Sequence, residues 1–210
     1  MASRPDSREP IDNRDDAGVR ARLAASHVAI IGCGGLGSNA ANMLVRSGVG
    51  ELTLVDFDEV DEGNLNRQLY FRDQIGRPKT EALAETLRRI DPDVVLHIFT
   101  TCVTEDDLIE IVGDAQVVIE AVDVAATKAL VANTVMRERP GTPVVCASGI
   151  AGFLSANEII TERVEDDFYV VGDLESDIHH ELPLLASRVT AAAAHEAHAA
   201  IRILLGHPEP

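Results

Sequence analysis

Residues 27–56 read HVAIIGCGGLGSNAANMLVRSGVGELTLVD and predict a strand, a glycine loop, a helix and a second strand. The run His27–Ile31 is apolar and short enough for a buried strand. Gly32, Gly34 and Gly37 then match G-x-G-x-x-G directly after that strand and at the helix opening, which is the context this motif requires. Small residues there let backbone N–H groups and the positive helix N-terminus approach phosphate oxygens. The stretch therefore predicts a phosphate-binding turn, although a tight strand-to-helix turn without a ligand would have the same pattern.

The rest of the chain continues the alternation of strands and helices. Hydrophobic periodicity predicts a helix over 16–25, a strand at Glu51–Val55, and then helices over 79–90, 105–112 and 125–138 interleaved with strands over 94–99, 117–121 and 144–147. This order favours an α/β fold, a doubly wound Rossmann-like sheet that is mostly parallel and has helices on both faces. After Gly152 we expect a C-terminal extension made of a strand near 153–160, an irregular acidic stretch over 165–183 and a helix over 187–205.

Length and charge limit the classes of function. The 210 residues predict a flexible N-terminal arm over 1–25 and a single domain over 26–210. A net charge of −17 disfavours nucleic acid and anionic membranes as partners, because both require basic surface. No apolar leader and no run of 18 apolar residues is present, so we expect a soluble, cytoplasmic protein.

The cysteines exclude two common kinds of structural site. Cys33, Cys102 and Cys146 are odd in number and show no C-x-x-C spacing, so neither a disulfide framework nor a four-cysteine zinc site is expected. Cys33 lies inside the glycine loop, where a small packing role is the ordinary interpretation. We expect no zinc.

The residues after the second strand decide between nucleotides. Asp56 ends that strand, where a carboxylate would accept hydrogen bonds from ribose hydroxyls, so an NAD- or FAD-dependent oxidoreductase is one interpretation. A dehydrogenase has no general need for Asn64, Arg67, Gln68 and Lys79 close downstream. Arg67 and Lys79 would instead neutralise a triphosphate and stabilise a pentavalent α-phosphate, although a solvated basic patch is the alternative for Arg67. Lys79 is conspicuous because 16 of the 18 basic residues are Arg.

Asp123 follows the predicted strand over 117–121, and the carboxyl ends of parallel strands face the ligand crevice of such sheets. A carboxylate there would hold Mg²⁺ together with phosphate oxygens. The alternative is an N-cap for a helix that starts at Val124, and the two roles are compatible.

These residues together carry a resemblance. The segment over 30–70, IIGCGGLGSNAANMLVRSGVGELTLVDFDEVDEGNLNRQLY, resembles the adenylating domain of the E1-like superfamily of ThiF, MoeB and HesA proteins. IGRPKTEAL, VIEAVDVAATKALV, CASGIAGFLSANEI and VGDLESD further along are most similar to the short, zinc-less branch of ThiF. The combination of G-x-G-x-x-G with D-x-D-x-V and N-L-x-R-Q makes the resemblance specific.

The resemblance implies an ATP- and Mg²⁺-dependent adenylyltransferase. Its substrate would be the C-terminal Gly carboxylate of a small ubiquitin-like sulfur carrier with a Gly-Gly end, best matched by a ThiS-type carrier of thiamine biosynthesis, and pyrophosphate would be released. The implied roles are nucleotide contact by Gly35, ribose binding by Asp56, phosphate contacts by Asn64, Arg67 and Lys79, and Mg²⁺ binding by Asp123. We count Arg67, Lys79 and Asp123 as catalytic. A nucleotide-binding module of this fold without turnover is a further alternative.

The resemblance also implies an assembly and an end point for the reaction. A homodimer is expected, with an arginine supplied across the interface from the segment before the first strand, for which the candidates are Arg8, Arg14, Arg20 and Arg22. The acidic stretch falls where relatives have a crossover loop over the carrier tail. No cysteine follows Cys146, so the reaction is expected to stop at the acyl-adenylate.

Three departures from the family pattern are present, and some histidines invite other interpretations. Gly63 replaces a serine, Val124 replaces an asparagine and Lys128 replaces an arginine of the family pattern. His195 and His198 suggest a metal pair, but without a third ligand nearby they are better interpreted as a helix face, and His179–His180 as a solvated loop.

Overall fold

The computed structural model describes residues 10–12, 14–176 and 182–210. Six α-helices and seven β-strands lie within these residues, and their bounds follow in chain order. They are α1 Asp16–Ala24, β1 His27–Ile31, α2 Gly35–Arg46, β2 Glu51–Val55, α3 Lys79–Arg88, β3 Val95–Phe99, α4 Leu108–Val112, β4 Val117–Glu120, α5 Ala125–Glu138, β5 Val144–Ala147, β6 Ile160–Glu165, β7 Phe168–Gly172 and α6 Ala186–Leu204.

The strands form one sheet in the order β3-β2-β1-β4-β5-β7-β6. All neighbouring pairs are parallel except β6 with β7, which pair antiparallel at one edge. The chain leaves β1 toward β2 on one side, whereas β4 occupies the other side, so the strand order reverses between β1 and β4. The carboxyl ends of strands at such a reversal border a ligand crevice.

Alternating side chains on the central strands face two hydrophobic layers. Val28 and Ile30 of β1 pack with apolar residues of α2, α3 and α6, whereas Ala29 and Ile31 pack with those of α4 and α5. The strands between these layers are buried on both faces, which explains why their sequences are continuous apolar runs. The predicted doubly wound α/β fold is confirmed, and α6 belongs to one of its layers.

The C-terminal extension differs from the prediction in two places. The strand predicted near 153–160 is wrong in position, because Ala156–Glu158 form a 3₁₀ turn and β6 begins at Ile160. The acidic stretch predicted as irregular contains β7, and Asp166–Asp167 form the turn between the two strands. The charges on β6 point to solvent from an edge strand, so its period-two pattern is faint in sequence. Asp177, His179 and His180 lie outside the described residues.

Part of the predicted N-terminal arm contacts the domain. Residues 16–24 form α1, whose Leu23 is buried, and the Ile11 N–H donates to the carbonyl oxygen of Leu205 at 3.0 Å. The boundary at residue 25 stays a prediction. No helix among the described residues is long and apolar enough to cross a membrane.

Candidate nucleotide-binding site

The glycine loop between β1 and α2 is shaped by two close backbone approaches. Gly32 has φ of +99°, and a Cβ built on it would lie 2.7 Å from the carbonyl oxygen of Ala121. A Cβ on Gly37 would lie 1.9 Å from the carbonyl oxygen of Gly32. Gly34 is the N-cap of α2 and provides no side-chain cap. The loop therefore needs glycine sterically, and the first turn of α2 presents backbone N–H groups that no cap side chain covers.

Asp56 joins this loop to the end of β2. One carboxylate oxygen accepts the Cys33 N–H at 2.7 Å, and the other accepts the Asp58 N–H at 2.9 Å. Each carboxylate oxygen can accept more than one hydrogen bond, so the half-buried group retains acceptor capacity for hydroxyls. In this structure Asp56 orders the glycine loop, and its ribose role stays a prediction.

The segment that carries Asn64, Arg67 and Gln68 is held against α2 by side chains that sequence reasoning missed. Asn39 Nδ2 donates to the carbonyl oxygens of Gly35 at 2.7 Å and Arg67 at 3.0 Å. Ser38 Oγ accepts the Leu69 N–H at 3.1 Å. These polar residues follow the glycine motif directly, and their position on the first turns of a helix was the available signal.

Tyr70 adds a third contact between the same elements. Its hydroxyl donates to the carbonyl oxygen of Cys33 at 2.7 Å and lies 3.3 Å from that of Lys79. The buried Tyr70 thus connects the glycine loop with the start of α3. Burial, with Cys33 and Asp56 nearby, raises the pKa of this hydroxyl, so it remains a donor.

Arg67 and Gln68 lie directly beside the glycine loop. A Cβ on Gly35 would lie 3.6 Å from Arg67 Cγ, and a Cβ on Gly34 would lie 3.8 Å from Gln68 Nε2. The Arg67 guanidinium donates to Asn66 Oδ1 at 2.8 Å, which holds it near the protein surface. Gln68 Oε1 is buried and has no hydrogen-bond partner among the described residues. Such an atom is the kind that a bound ligand or water satisfies.

Asn64 stabilises a local turn, a role that differs from the predicted contact with phosphates. Its Oδ1 accepts the Asp61 N–H at 3.0 Å, which closes a capping box on the 3₁₀ turn Glu62–Asn64. This turn fixes the entry into the loop that carries Arg67. The predicted contact of Asn64 with phosphates stays a prediction.

Lys79 is the first residue of α3 and is buried, with 7% of its side chain exposed. Its Nζ donates to Asp58 Oδ2 at 2.7 Å, whereas the Asp58 side chain is 49% exposed. Asp58 was missed as a site residue, although it is the second acid of the D-x-D motif. Burial and the nearby Asp56 raise the pKa of the Cys33 thiol, and Lys79 opposes this, so the charges of both residues reach the glycine loop.

Asp123 lies on the other side of the crevice, three residues past the end of β4, and it is exposed. The N-cap of α5 is Val124, without a side-chain cap, so the interpretation of Asp123 as the N-cap is wrong. Lys128 binds Glu120, donating to Oε2 at 2.9 Å and Oε1 at 3.2 Å. The family's arginine position is therefore filled by a lysine paired with the last residue of β4.

The remaining candidates lie away from the glycine loop. His195 Nδ1 lies 3.0 Å from Thr161 Oγ1, and His198 is exposed on the same helix, which agrees with the helix-face interpretation. Both border a cavity of about 600 Å³ between α6, β6 and the C-terminal residues. Of the arginines proposed to act across an interface, Arg20 pairs with Asp16 on α1, and Arg8 lies outside the described residues.

Comparison with known proteins identifies the family of the chain. Residues 11–210 match the ThiF family. The chain belongs to this family. The match covers the glycine loop, both acids of the D-x-D motif, Arg67, Lys79 and Asp123.

Curated relatives of this ThiF-family chain have several different names. It is 32% identical to the tRNA threonylcarbamoyladenosine dehydratase of Escherichia coli over 71% of this chain and 62% of that protein. It is 49% identical to ubiquitin-like modifier-activating enzyme 5 of Arabidopsis thaliana over 40% of this chain and 19% of that protein. The SAMP-activating enzyme E1 of Haloferax volcanii is 39% identical over 59% of this chain and 46% of its own length. The chain thus spans about a fifth to three fifths of these relatives.

Solved structures share the fold. The E. coli dehydratase TcdA in complex with ATP superposes with a TM-score of 0.82 at 24% identity, covering 91% of this chain and 90% of that one. E. coli MccB with succinimide gives a TM-score of 0.73 at 23% identity, covering 91% and 60%. The first of these holds a nucleotide, and the fold of this ThiF-family chain is that of an E1-like enzyme.

Proposed function

We propose that this chain uses ATP to adenylate the C-terminal Gly carboxylate of a small ubiquitin-like sulfur carrier and releases pyrophosphate. The observation that carries the proposal is the arrangement around the glycine loop. The first turn of α2 has no side-chain cap, and the stem of the Arg67 side chain lies beside Gly35. The charge of the buried Lys79 reaches Cys33 of the same loop, and the exposed Asp123 follows β4, the strand next to β1. An NAD pyrophosphate has no comparable use for the two cations.

ATP and Mg²⁺ both suit the residues present. Gln68, whose Nε2 lies beside Gly34, has a buried Oε1 without a hydrogen-bond partner among the described residues, so this oxygen fits a ligand that brings a donor. Asp123 is an exposed carboxylate and Asp58 is half exposed, and such oxygens are the ligands Mg²⁺ takes together with phosphate. When bound, the ion would neutralise charge on the phosphate chain.

The chemistry requires an attack by an oxygen of the carrier's carboxylate on the α-phosphorus. The new O–P bond forms as the bond from the α-phosphorus to the oxygen bridging the α- and β-phosphates breaks, and the electron pair leaves with pyrophosphate. Arg67 and Lys79 would meet the charge that develops on the α-phosphate and the leaving group. Their contribution should be greater in the transition state than in bound ATP.

Two of the three thiols are unsuited to a covalent step after adenylation. Cys33 and Cys146 are buried, and burial raises the pKa of both, that of Cys146 to about 12, so both stay protonated at neutral pH. Neither would displace AMP to form a thioester. Cys102 is the exposed thiol of the three, so if the chain releases an acyl-adenylate to a sulfur donor, Cys102→Ser should leave that product unchanged.

A second candidate substrate is a tRNA carboxylate, because the E. coli relative at 32% identity is a tRNA-modifying dehydratase. The net charge of −17 argues against it, since RNA binding needs basic surface. A protein carrier is therefore favoured. Within that class we propose a ThiS-type carrier of thiamine biosynthesis, on the resemblance of the sequence to zinc-less ThiF.

Pyrophosphate exchange into ATP tests the proposal. The full chain would be assayed with Mg²⁺ and a panel of Gly-Gly-ended carriers, with bulk tRNA, and with neither. We expect exchange that depends on one carrier and disappears when its last glycine is removed. If exchange occurred with tRNA and with none of the carriers, the substrate would be a tRNA and the proposed protein carrier would be wrong. If NAD raised the melting temperature and ATP did not, the proposed adenylation would be wrong and an oxidoreductase would be favoured.

We also propose that the active species is a twofold homodimer in which an arginine before β1 reaches the partner's site. Arg14 and Arg22 are the described candidates besides Arg20. Sedimentation in parallel with exchange assays tests it. A fully active monomer would contradict it.

A further inference from the structure

Two histidines and two carboxylates lie together at the amino ends of the strands, at the opposite end of the sheet from the proposed nucleotide crevice. His27 and Glu51 are the first residues of β1 and β2, His97 lies early in β3, and Asp114 lies between α4 and β4. No step of the proposed adenylation uses them. They come from four separate segments, so the fold, and no local sequence pattern, brings them together.

The parallel register explains why the side chains converge. His27 pairs with Glu51, and Thr53 pairs with His97. Side chains two apart on a strand share a face, so these four residues lie on one face at the amino ends of three neighbouring strands. Ala29, Ile31 and Val55 of the same face pack in the α4 and α5 layer, so the cluster caps that layer.

The distances suit a common ion. One ligand atom each from His27, Glu51 and His97 lies within 4.8 Å of the others. His97 Nε2 is 2.8 Å and His27 Nδ1 is 3.8 Å from Glu51 Oε1, and Asp114 Oδ1 is 2.9 Å from His27 Nδ1. Metal–ligand distances of about 2.0–2.2 Å in a tetrahedron place ligand atoms roughly 3.4 Å apart. The observed separations bracket that value.

The second nitrogen of His27 orients the first. His27 Nε2 lies 2.8 Å from the buried Thr53 Oγ1, and the imidazole itself is buried. In the tautomer with its proton on Nε2, this nitrogen donates to the Thr53 hydroxyl and the lone pair of Nδ1 faces the carboxylates of Glu51 and Asp114. A cation placed between Nδ1 and these carboxylates, whether a proton or a metal ion, would bind to all three groups. A metal-bound histidine held by an outer hydrogen bond has this arrangement.

We propose that His27 Nδ1, His97 Nε2 and Glu51 bind a divalent transition-metal ion of the Zn²⁺ and Co²⁺ class, with Asp114 as the neighbouring fourth ligand. Two imidazoles select such ions over Mg²⁺ and Ca²⁺, which take oxygen ligands. The site needs no cysteine, so it is independent of the reasoning that excluded a four-cysteine zinc site. His97 and Asp114 are exposed, which gives an ion a path into the cluster.

The ion would join β1, β2, β3 and the α4–β4 connection at one point. Its binding should therefore raise the melting temperature, and above the dissociation constant the rise should follow the logarithm of the free ion concentration. The nucleotide site lies at the other ends of the same strands, so adenylation should continue in variants that lose the ion.

The test uses the full chain without a polyhistidine tag and in a Cys102→Ser background, which removes the exposed thiol as a competing ligand. Co²⁺ titration is followed by visible absorption and Zn²⁺ titration by calorimetry. We expect one ion per chain, with the intense absorption of a four-coordinate Co²⁺ ion. His97→Ala should abolish this signal while circular dichroism stays unchanged, because His97 is exposed.

Two further variants separate this site from a surface histidine effect. Thr53→Val should weaken binding about ten- to a hundredfold through the lost outer hydrogen bond. The double variant His195→Ala and His198→Ala, whose spacing suggests a metal pair in sequence, should bind as the parent does. Absence of one-to-one binding in the parent, unchanged binding in His97→Ala, or loss in the α6 double variant would each overturn the proposal.

Discussion

The two lysines of the chain form ion pairs of opposite construction on the two sides of the crevice. At Lys79 the ammonium is buried, with 7% of the side chain exposed, and its partner Asp58 is 49% exposed. At Lys128 the partner Glu120 is buried, with 1% of its side chain exposed, and the lysine is 29% exposed. One pair therefore buries its positive end and the other its negative end.

This difference predicts different roles. A half-exposed Asp58 is solvated by water if Lys79 turns to another anion, so Lys79 can exchange its partner for a phosphate at small cost. Glu120 has no such freedom, because a buried carboxylate without its lysine is costly. Glu196 adds a second buried carboxyl group on the Lys128 side, and both of its oxygens lack a hydrogen-bond partner among the described residues. The Lys79 side is suited to chemistry and the Lys128 side to stability.

The largest effect is expected from Lys79→Ala. Removing one preorganised charged donor typically costs about 10²–10³ in kcat, and ATP affinity should change far less. Carrier-dependent pyrophosphate exchange and ATP titration measure the two quantities. Arg77→Ala is the matched control, because Arg77 lies two residues away and pairs with Glu85 on the surface. If both variants lost the same fraction of kcat, the proposed catalytic role of Lys79 would be wrong.

Lys128→Met should act on stability. It leaves Glu120 buried without its cation, and we expect a loss of about 2–3 kcal/mol, below the 3–5 kcal/mol of a fully buried pair because Lys128 is partly exposed. Denaturant unfolding measures it. Arg137→Met, on the same helix with exposed partners, should leave the free energy of unfolding close to that of the parent. A Lys128 variant as stable as the parent would mean that Glu120 is not held by the pair.

The buried Glu196 gives a dependence of stability on pH. Burial raises the pKa of this carboxyl well above its ordinary value, and burial also raises that of Glu120. The folded state then binds more protons than the unfolded state above the unfolded pKa of about 4.3, so stability falls as pH rises through this range. The slope from one such group reaches about 1.4 kcal/mol per pH unit.

Glu196→Gln removes that group. Between pH 5 and pH 8 the variant should lose less stability than the parent, and its relative advantage should grow with pH. Unfolding by denaturant across that range measures the difference. Parallel curves for the parent and the variant would show that Glu196 has an ordinary pKa in the folded protein.

How far the sequence predicts these features depends on whether a neighbour is local. The glycine loop, Asp56 and the alternation of strands and helices follow from contacts within one β–α–β unit, so motif and periodicity suffice. Local rules do not fully predict why position 32 must be glycine, because the carbonyl oxygen that a side chain would meet belongs to Ala121, which is distant in sequence.

Motifs and periodicity do not predict the ion-pair partners of the two lysines. The rarity of lysine indicates that Lys79 and Lys128 matter, but Asp58 is 21 residues from Lys79, and the exposure of each partner is set by packing. The buried Glu196 of α6 and the His27–Glu51–His97 cluster likewise depend on which strands and helices become neighbours. The prediction of a strand near 153–160 misplaces the charged strand β6, because an edge strand faces solvent and has little apolar periodicity to detect.

The smallest effect concerns the carboxylates of the crevice and the Mg²⁺ requirement. Asp123 is exposed and makes no hydrogen bond to another described residue, so it is free to bind a cation, whereas Asp58 already holds Lys79. A hard cation binds more weakly when a site offers fewer charged ligands. Asp123→Asn should therefore raise the Mg²⁺ concentration for half-maximal exchange by roughly tenfold, and excess Mg²⁺ should restore much of the rate. Asp58→Asn should lower the rate in a way that Mg²⁺ does not restore, because it frees Lys79 from its position. Exchange rates over a Mg²⁺ titration, with Asp106→Asn on an exposed loop as control, measure this. If Mg²⁺ rescued Asp58→Asn and not Asp123→Asn, the ion would lie on the Lys79 side of the crevice.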